Sequence, residues 1–397
     1  MAEPHILPLA SWQERDGLDQ LVACLGGGAQ VRFVGGAVRD TLLGIPVADV
    51  DCATTLLPDE VIRRCKDAGL RTVPTGIEHG TVTVVLPGGP VEVTTLRRDV
   101  STDGRRATVA FSSEWRDDAA RRDFTINALY ADPRTREITD YFGGLDDLTA
   151  RRVRFIGDPA ERIREDHLRI LRFFRFLARF GDTPDQAGLV ACAELAGTLK
   201  GLSRERVSSE LLGILALPDP TRTVRLMHEV GVLPVILPEV GADGLAELAR
   251  LIRVEAVASA PPVAIRRLAA LLPPAPAVAD SVAARLRLSR AQRDRLTLAA
   301  AREASDPDAQ QALAYRIGTQ AARDRLLLLG LVPAVPDNWS PPDFPVKGRD
   351  VIALGVPPGP PVARVLKQAE AHWIAEGFPP ADRAHALLAA AVADARF

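Results

Sequence analysis

Cysteine is scarce, and the four residues present, Cys24, Cys52, Cys65 and Cys192, show no C-x-x-C spacing. That excludes a zinc ribbon and a disulfide framework, and it suits a chain kept in a reducing compartment. Lysine is scarcer in proportion: four of the 49 basic residues are lysine and the rest arginine. So skewed a ratio, beside abundant alanine and proline, reads as compositional bias and carries no functional weight. Histidine is limited to six scattered residues, which argues against a Ser-His-Asp device or a histidine metal cluster. There is no excess of positive charge, the net value being −2, so no global field gathers nucleic acid and any such contact must be local. No charged-then-apolar leader opens the sequence, and the strongest apolar run, around Leu326 to Val335, is far short of a membrane span. A cytoplasmic protein with no membrane partner is the expectation.

What is present is a chain of 397 residues, 47% hydrophobic and 25% charged, long enough for two to four globular domains with ample core. Its most informative stretch is Val34 to Thr54, V-G-G-A-V-R-D-T-L-L-G-I-P-V-A-D-V-D-C-A-T. An apolar run breaks at Gly35-Gly36, a helical piece follows, and the chain returns as an extended segment carrying Asp49 and Asp51. Paired glycines let backbone lie against a bulky anion, and the helix start behind them offers free N–H groups. Acids two apart on a strand point to one face. Side by side they repel unless a cation lies between them, and Mg²⁺ favours one or two carboxylates plus substrate phosphates. G-G and D-x-D are each common in turns and strand ends; their conjunction points to a metal–nucleotide site.

Upstream, Ser11 to Leu25 reads as one helix stopped by Gly26-Gly27-Gly28. Downstream, Pro58 to Ala68 reads as a helix with an acidic first turn and Gly69 after its end. Thr81 to Leu86 and Val91 to Leu96 alternate and are joined by P-G-G-P, a hairpin signature. The second strand carries Glu92, which would supply a third carboxylate if it lay beside the Asp49/Asp51 strand. The polar stretch Arg97 to Ala120, with D-G-R-R at Asp103 to Arg106, reads as a long functional or disordered loop. In R-R-D-F-T-I-N-A-L, Arg121 to Leu129, Asp123 caps while Phe124, Ala128 and Leu129 bury, leaving Arg122 and Asn127 for a ligand. A strand or two within Glu137 to Ile156 would complete a mixed sheet.

From Asp158 onward the periodicity is helical almost to the end. Residues 151 to 180 hold nine arginines against four acids. Within E-D-H-L-R-I-L-R-F-F-R-F-L-A-R-F, Arg169, Arg172, Arg175 and Arg179 form one stripe and Ile170, Phe173, Phe174 and Leu177 the other side. Alone, such a stripe reads as a solvated face laced by Asp166–Arg169 and Glu165–Arg169 pairs worth tenths of a kcal/mol; with the upstream motif it becomes a candidate nucleotide platform. Ser203 opens a further helix in the manner of a cap. Helices at Thr221 to Val230, Leu245 to Val257, Val263 to Leu272 and Arg290 to Ala304 follow, punctuated by proline clusters. Residues 220 to 397 hold no catalytic constellation.

Taken in order, G-G-A-V-R-D-T-L-L-G, D-V-D, E-V-T-T-L-R, R-R-D-F-T-I-N-A-L, E-D-H-L-R-I-L-R-F-F-R-F and S-R-E-R-V-S-S-E-L resemble the bacterial class II tRNA nucleotidyltransferases (CCA-adding enzymes), a family that includes bacterial poly(A) polymerases. The resemblance covers residues 30 to 215. It implies an α/β nucleotidyltransferase head, a mixed sheet with flanking helices (1–157), followed by an all-α neck with a nucleotide-selecting helix (158–218), body (219–288) and RNA-binding tail (289–397). It implies Asp49 and Asp51 as Mg²⁺ ligands with Glu92 as a further catalytic acid. Gly35, Gly36 and Arg39 would meet the triphosphate, and Arg122, with Asp123 and Asn127, the bound nucleotide. Asp166 and Arg169 resemble the pair that reads the incoming base, and Arg172 and Arg175 further nucleotide contacts. Partners would be the tRNA 3′ end, with CTP and ATP as substrates.

The implied chemistry is coherent. A 3′-hydroxyl attacking an α-phosphate needs one metal to activate it and another to stabilise the leaving pyrophosphate. A carboxylate accepts from the exocyclic amine of C or A, whereas U and G present a carbonyl there. The absence of a G-R-R-F-R-L-like run between the D-V-D and E-V-T-T strands favours CCA addition over poly(A) synthesis. A loop around Asp103 to Phe111 is tied in the family to the final A. No His-Asp phosphohydrolase domain is visible, so phosphatase side activity is not expected. The alternatives are a poly(A) polymerase, a catalytically silent RNA-binding protein and, third, a small-molecule nucleotidyltransferase. His167 has no place in any of these readings.

Overall fold

The computed structural model describes residues 4–103, 106–336 and 338–395. They fall into two compact units, Met1–Ile236 and Leu237–Phe397. The first begins with a short 3₁₀ turn at Ser11–Glu14, helix α1 (Leu18–Cys24), strand β1 (Val31–Val34), α2 (Gly36–Leu42), β2 (Val50–Thr54), α3 (Pro58–Asp67), β3 (Arg71–Gly76), β4 (Thr81–Leu86) and β5 (Gly89–Thr95). A hairpin of β6 (Arg97–Asp103) and β7 (Arg106–Phe111) follows, then α4 (Trp115–Ala120), β8 (Leu129–Ala131), β9 (Ile138–Asp140) and α5 (Gly144–Thr149). Seven strands make one sheet in the order β3-β4-β5-β2-β1-β8-β9. Its β2–β5 pair is parallel and its other pairs antiparallel, which is the mixed sheet expected.

Alternation fixes which face of β2 is available. Val50 and Cys52 are each 1% exposed and point into the core, so Asp51 between them must face the other way. β5 lies beside β2 with Asp51 opposite Glu92 in register, which realises the adjacency that the sequence left conditional.

Two segments differ from the sequence-based expectation. The leading helix is not continuous: it breaks at Arg15–Gly17, where Gly17 has φ +86°, and restarts at Leu18. The stretch from Arg97 to Ala120 is no long loop but a two-stranded hairpin and a helix; charge density hid β-alternation there, and Gly104 and Arg105 of D-G-R-R lie outside the described residues.

After the head come β10 (Arg152–Val153), α6 (Pro159–Glu165), α7 (Arg169–Phe180), β11 (Thr183–Pro184), α8 (Gln186–Glu194), α9 (Arg204–Leu215), α10 (Thr221–Glu229) and α11 (Val232–Ile236). β10 and β11 pair in parallel as a small separate sheet. The apolar side of α7 seals these helices to the head: Phe173 stacks on Phe155 at 5.5 Å between centroids, and Phe124 packs between Phe155 and Phe176. Burying each such ring stabilises by roughly 2–3 kcal/mol, which makes this one of the firmest seams of the unit. Ser203 does stand at the N-cap of α9, although its side chain makes no cap hydrogen bond.

The second unit is helical: α12 (Ala242–Val257), α13 (Ala264–Leu271), α14 (Pro276–Arg285), α15 (Arg290–Ala300), α16 (Gln310–Ile317), α17 (Thr319–Leu328), α18 (Gly348–Ala353), α19 (Pro360–Ala375) and α20 (Ala381–Asp394). An apolar core around Val351, Val365, Trp373 and Leu388 joins α18, α19 and α20. Among the described residues no helix is long and apolar enough to cross a membrane.

Candidate active site

A cleft of about 530 Å³ opens where the C-terminal side of β1, the turn before Ala128 and the starts of α7 and α9 converge. Ten of the thirteen candidate residues line it: Gly35, Gly36, Arg39, Asp51, Arg122, Asp123, Asn127, Asp166, Arg169 and Arg172. Arg97, Arg121, Leu168, Phe176 and Arg206 line it as well. Asp49, Glu92 and Arg175 do not belong to its lining. Seven arginines and three aspartates line it, with Asp40, Asp118 and Glu165 behind the lining as partners of Arg39, Arg121, Arg122 and Arg169, so the surface offered to a polyanion is mainly guanidinium.

Gly35 ends β1 at φ +71° and ψ −123°, a conformation in which an L side chain is strained. A Cβ there would stand 3.5 Å from Nη1 of Arg122, in ordinary contact, so it is the backbone conformation that calls for glycine. Arg39, 6% exposed, lies 4.4 Å from the Phe180 ring centroid and 5.3 Å from that of Phe176. It donates to Asp40 and to Oδ1 of Asn127. Burial pulls the Arg39 pKa down, with Asp40 opposing.

Arg121 and Arg122 share one buried anchor. Asp118 accepts from both guanidinium groups and from the Tyr130 hydroxyl, at 2.7 to 3.3 Å. Burial opposes ionisation of Asp118, yet Arg122, Arg121 and the Tyr130 hydroxyl outweigh it and bring the carboxyl down to about 2. Burial likewise opposes the Arg122 charge, and Tyr130 and Asp118 overcome it, leaving that guanidinium more basic than usual.

The arginine stripe of α7 is more occupied than a free platform would be. Arg172 donates twice to Asp123 Oδ2, at 2.6 and 2.8 Å. Arg175 is taken by Glu210 of α9, and Arg179 reaches Asp40 at 3.3 Å. The expected Glu165–Arg169 pair forms. The expected Asp166–Arg169 side-chain pair does not: Asp166 receives Arg206 at 2.6 Å and the Leu168 amide at 3.1 Å, while Arg169 donates to the carbonyls of Arg162 and Arg121. Both nonetheless face the cleft. Position in a helical stripe could not reveal Arg206, which enters from 40 residues downstream, although it lies within the S-R-E-R-V segment. Phe176 falls inside the arginine stripe on the wheel, and its ring lies 5.4 Å from the Arg172 guanidinium and 5.0 Å from that of Arg175. His167, in the turn before α7, has a buried Nδ1 for which no hydrogen-bond partner occurs among the described residues.

Asp51 is the acid that the cleft shares with the sheet face. Its pKa is raised, first by burial and then by Glu92, with Arg122 opposing and Asp49 adding. Asp49 is exposed and precedes β2 by one residue. No group of three or more His, Cys, Asp or Glu is placed to hold a metal ion among the described residues. A cluster of mutually repelling carboxylates beside a cationic cleft fits a hard divalent cation that takes one or two protein carboxylates and completes its shell with substrate oxygens.

Residues 31–154 match the Poly A polymerase head domain family, and residues 183–243 match the probable RNA and SrmB-binding site of polymerase A. The mitochondrial CCA tRNA nucleotidyltransferase 1 of Mus musculus is 36% identical over 373 residues, covering 88% of this chain and 84% of that protein. The CCA-adding enzyme of Enterococcus faecalis is 43% identical over 190 residues, 47% of this chain and 46% of its own. The crystal structure of the Bacillus stearothermophilus CCA-adding enzyme in complex with CTP superposes with TM-score 0.73 at 28% identity, covering 93% of this chain and 94% of that one. The likeness therefore extends well beyond residue 215, into the helical second half.

Proposed function

This chain belongs to the CCA tRNA nucleotidyltransferase family, and from that premise we propose that it adds C, C and A to the 3′ end of tRNA from CTP and ATP, without a nucleic-acid template. The observation that carries the reading is the cleft itself, where seven arginines and the Asp166 carboxylate lie together with Asp51, an acid under the influence of Glu92 and Asp49.

In this reading Arg39, Arg121 and Arg122 bind the triphosphate. Asp118 and Tyr130 hold two of those forks in place, so less ordering is needed when the nucleotide arrives. Gly35 supplies the positive-φ bend that turns the chain from β1 into α2 beside Arg122. Asp166 accepts from the exocyclic amine of C or A, and Arg169 donates to the ring nitrogen or carbonyl beside it; U and G would set acceptor against acceptor. Arg206 and the Leu168 amide fix the Asp166 carboxylate, with lone pairs remaining for the base. Asp49 and Asp51, with Glu92 alongside, would hold Mg²⁺. When bound, the ion supplies charge stabilisation for a 3′-hydroxyl displacing pyrophosphate from the α-phosphate. Arg172 and Asp123 tie the base-facing helix to the head, so base choice and phosphate grip act on one nucleotide. The division into head, neck, body and tail at 157, 218 and 288 is part of the same proposal, with the tail as the RNA-binding part.

The test is the nucleotide-resolved product pattern on a tRNA lacking its last three bases. Addition of C, C and A that stops is expected. An open-ended A tract, equal use of UTP, or no incorporation with CTP and Mg²⁺ overturns the reading.

A further inference from the structure

The break in the leading helix has a structural reason that bears on the acid pair. Asp51 is held by the ladder, opposite Glu92. Asp49 is not: it ends the exposed segment that joins α2 to β2, where Pro46 has no N–H to donate. Arg15 reaches that segment from 32 and 33 residues away, its Nη2 donating to the carbonyl of Val47 at 3.3 Å and of Ala48 at 2.8 Å. These are the two carbonyls immediately before Asp49. Had the helix run on through Arg15, its side chain would follow the helix face instead; the backbone there is extended, with φ −60° and ψ 136°.

The other side of Arg15 is closed by the turn between β4 and β5. Gly88 donates its amide to the Asp16 carbonyl at 3.1 Å. A Cβ on Gly88 would come within 2.8 Å of the Asp16 nitrogen and 2.9 Å of the Arg15 Cβ, so the P-G-G-P turn admits the Arg15 backbone only because its second residue is glycine. The helix break, the glycine turn and the approach to Asp49 are thus one packed unit.

We infer that Arg15 is a positioning residue for the acid pair, holding the Val47 and Ala48 carbonyls so that Asp49 is presented beside Asp51. The inference rests on the reading of Asp49 and Asp51 as divalent-cation ligands. Contacts that orient metal ligands change affinity by roughly 10–100-fold when removed.

The test uses the full chain and Mn²⁺ as probe, followed by its electron paramagnetic resonance signal with and without CTP. Arg15→Gln is expected to weaken Mn²⁺ binding about tenfold and to raise the Mg²⁺ concentration for half-maximal incorporation by the same factor. CTP binding without divalent ion should be unchanged. Arg15→Lys, which keeps a cationic donor, should recover part of the loss. Gly88→Ala, which displaces Arg15 from the opposite side, should reproduce it, and the double variant should be no worse than either single one. Unchanged Mn²⁺ affinity in folded Arg15→Gln or Gly88→Ala overturns the inference, as does a loss confined to CTP binding. Asp49→Asn separates the two levels. If it binds Mn²⁺ like the parent, the cation-site reading itself fails; if it loses Mn²⁺ while Arg15→Gln does not, only the role of Arg15 does.

Discussion

The protein contains two dense arginine–carboxylate clusters that differ in what they leave over. In the second unit, Arg266 and Arg267 of α13 meet Glu255 of α12 at 2.8 and 2.9 Å, and Arg266 and Arg295 meet Asp324 of α17 at 3.1 and 2.6 Å. Arg266, Arg267, Glu255 and Asp324 are each 2% exposed or less. In the cleft Arg122, Arg172, Arg206 and Asp166 remain partly open to solvent, although each of these arginines also has an acid partner. A closed cluster fixes how helices pack; an open one leaves its charged groups within reach of a ligand. Arginine content alone does not distinguish the two. Burial does.

That contrast makes opposite demands on mutants. The largest expected effect is in the cleft: Asp51→Asn should lower CMP incorporation about 1000-fold, the scale of several kcal/mol of charge stabilisation, while the thermal midpoint without metal stays the same or rises. Radiolabelled incorporation and a chelated melt measure both. Retained incorporation would place the chemistry elsewhere. Next comes the closed cluster. Glu255→Gln leaves Arg266 and Arg267 facing a lost anion, and breaking a buried pair in this way costs about 3–5 kcal/mol. Denaturant unfolding should register that loss, whereas incorporation per folded molecule should not move. A drop in the specific rate without a drop in stability would erase the distinction between the clusters.

A third, smaller effect tests selection. Asp166→Ala should reduce discrimination of CTP against UTP by about 10–100-fold, the value of one good base-edge contact, with CMP transfer reduced less than selectivity. Equal loss with all four nucleotides would make Asp166 a structural residue. Arg206→Gln, freeing one oxygen of Asp166, should move in the same direction by a lesser factor.

How much of this was legible in the sequence depends on the range of the interactions involved. Short-range patterns were readable: the glycine bend at Gly35, alternation around Asp51, the hairpin carrying Glu92 and the apolar side of α7 are all fixed by neighbours within a few residues. Partnerships across the chain were not. Arg169 was read as the partner of Asp166 because the two are three residues apart, yet Asp166 is met by Arg206 from α9, because α7 starts only at Arg169 and Asp166 lies in the turn before it. The anchor Asp118 carries no local signal, because the charge density of its stretch masks β6, β7 and α4, which form there. The unbroken leading helix was the natural expectation from periodicity; tertiary contacts of Arg15 and Gly88 override it.

The smallest effect addresses why the acids are tolerated at all. The Asp51 pKa is raised by burial and then by Glu92, above the value of about 3.9 for a solvated aspartate. A carboxyl whose folded pKa is raised contributes stability that is complete below the unfolded value and is lost as pH rises through the folded one. At neutral pH without divalent ion the folded protein therefore carries the repulsion of Glu92 and Asp49 on Asp51, offset only in part by Arg122. Glu92→Gln relieves part of it. With chelator present the variant should melt higher at pH 7 by about 1 °C, a few tenths of a kcal/mol for a unit of this size, and the advantage should vanish as pH falls through the raised pKa of Asp51. Its acid limb of incorporation should move to lower pH, because Asp51 then ionises more readily, and its Mn²⁺ affinity should fall because one anion is gone. A variant that melts lower at pH 7 with an unmoved acid limb would mean that Glu92 faces solvent rather than Asp51, and the cation would then rest on the aspartates alone.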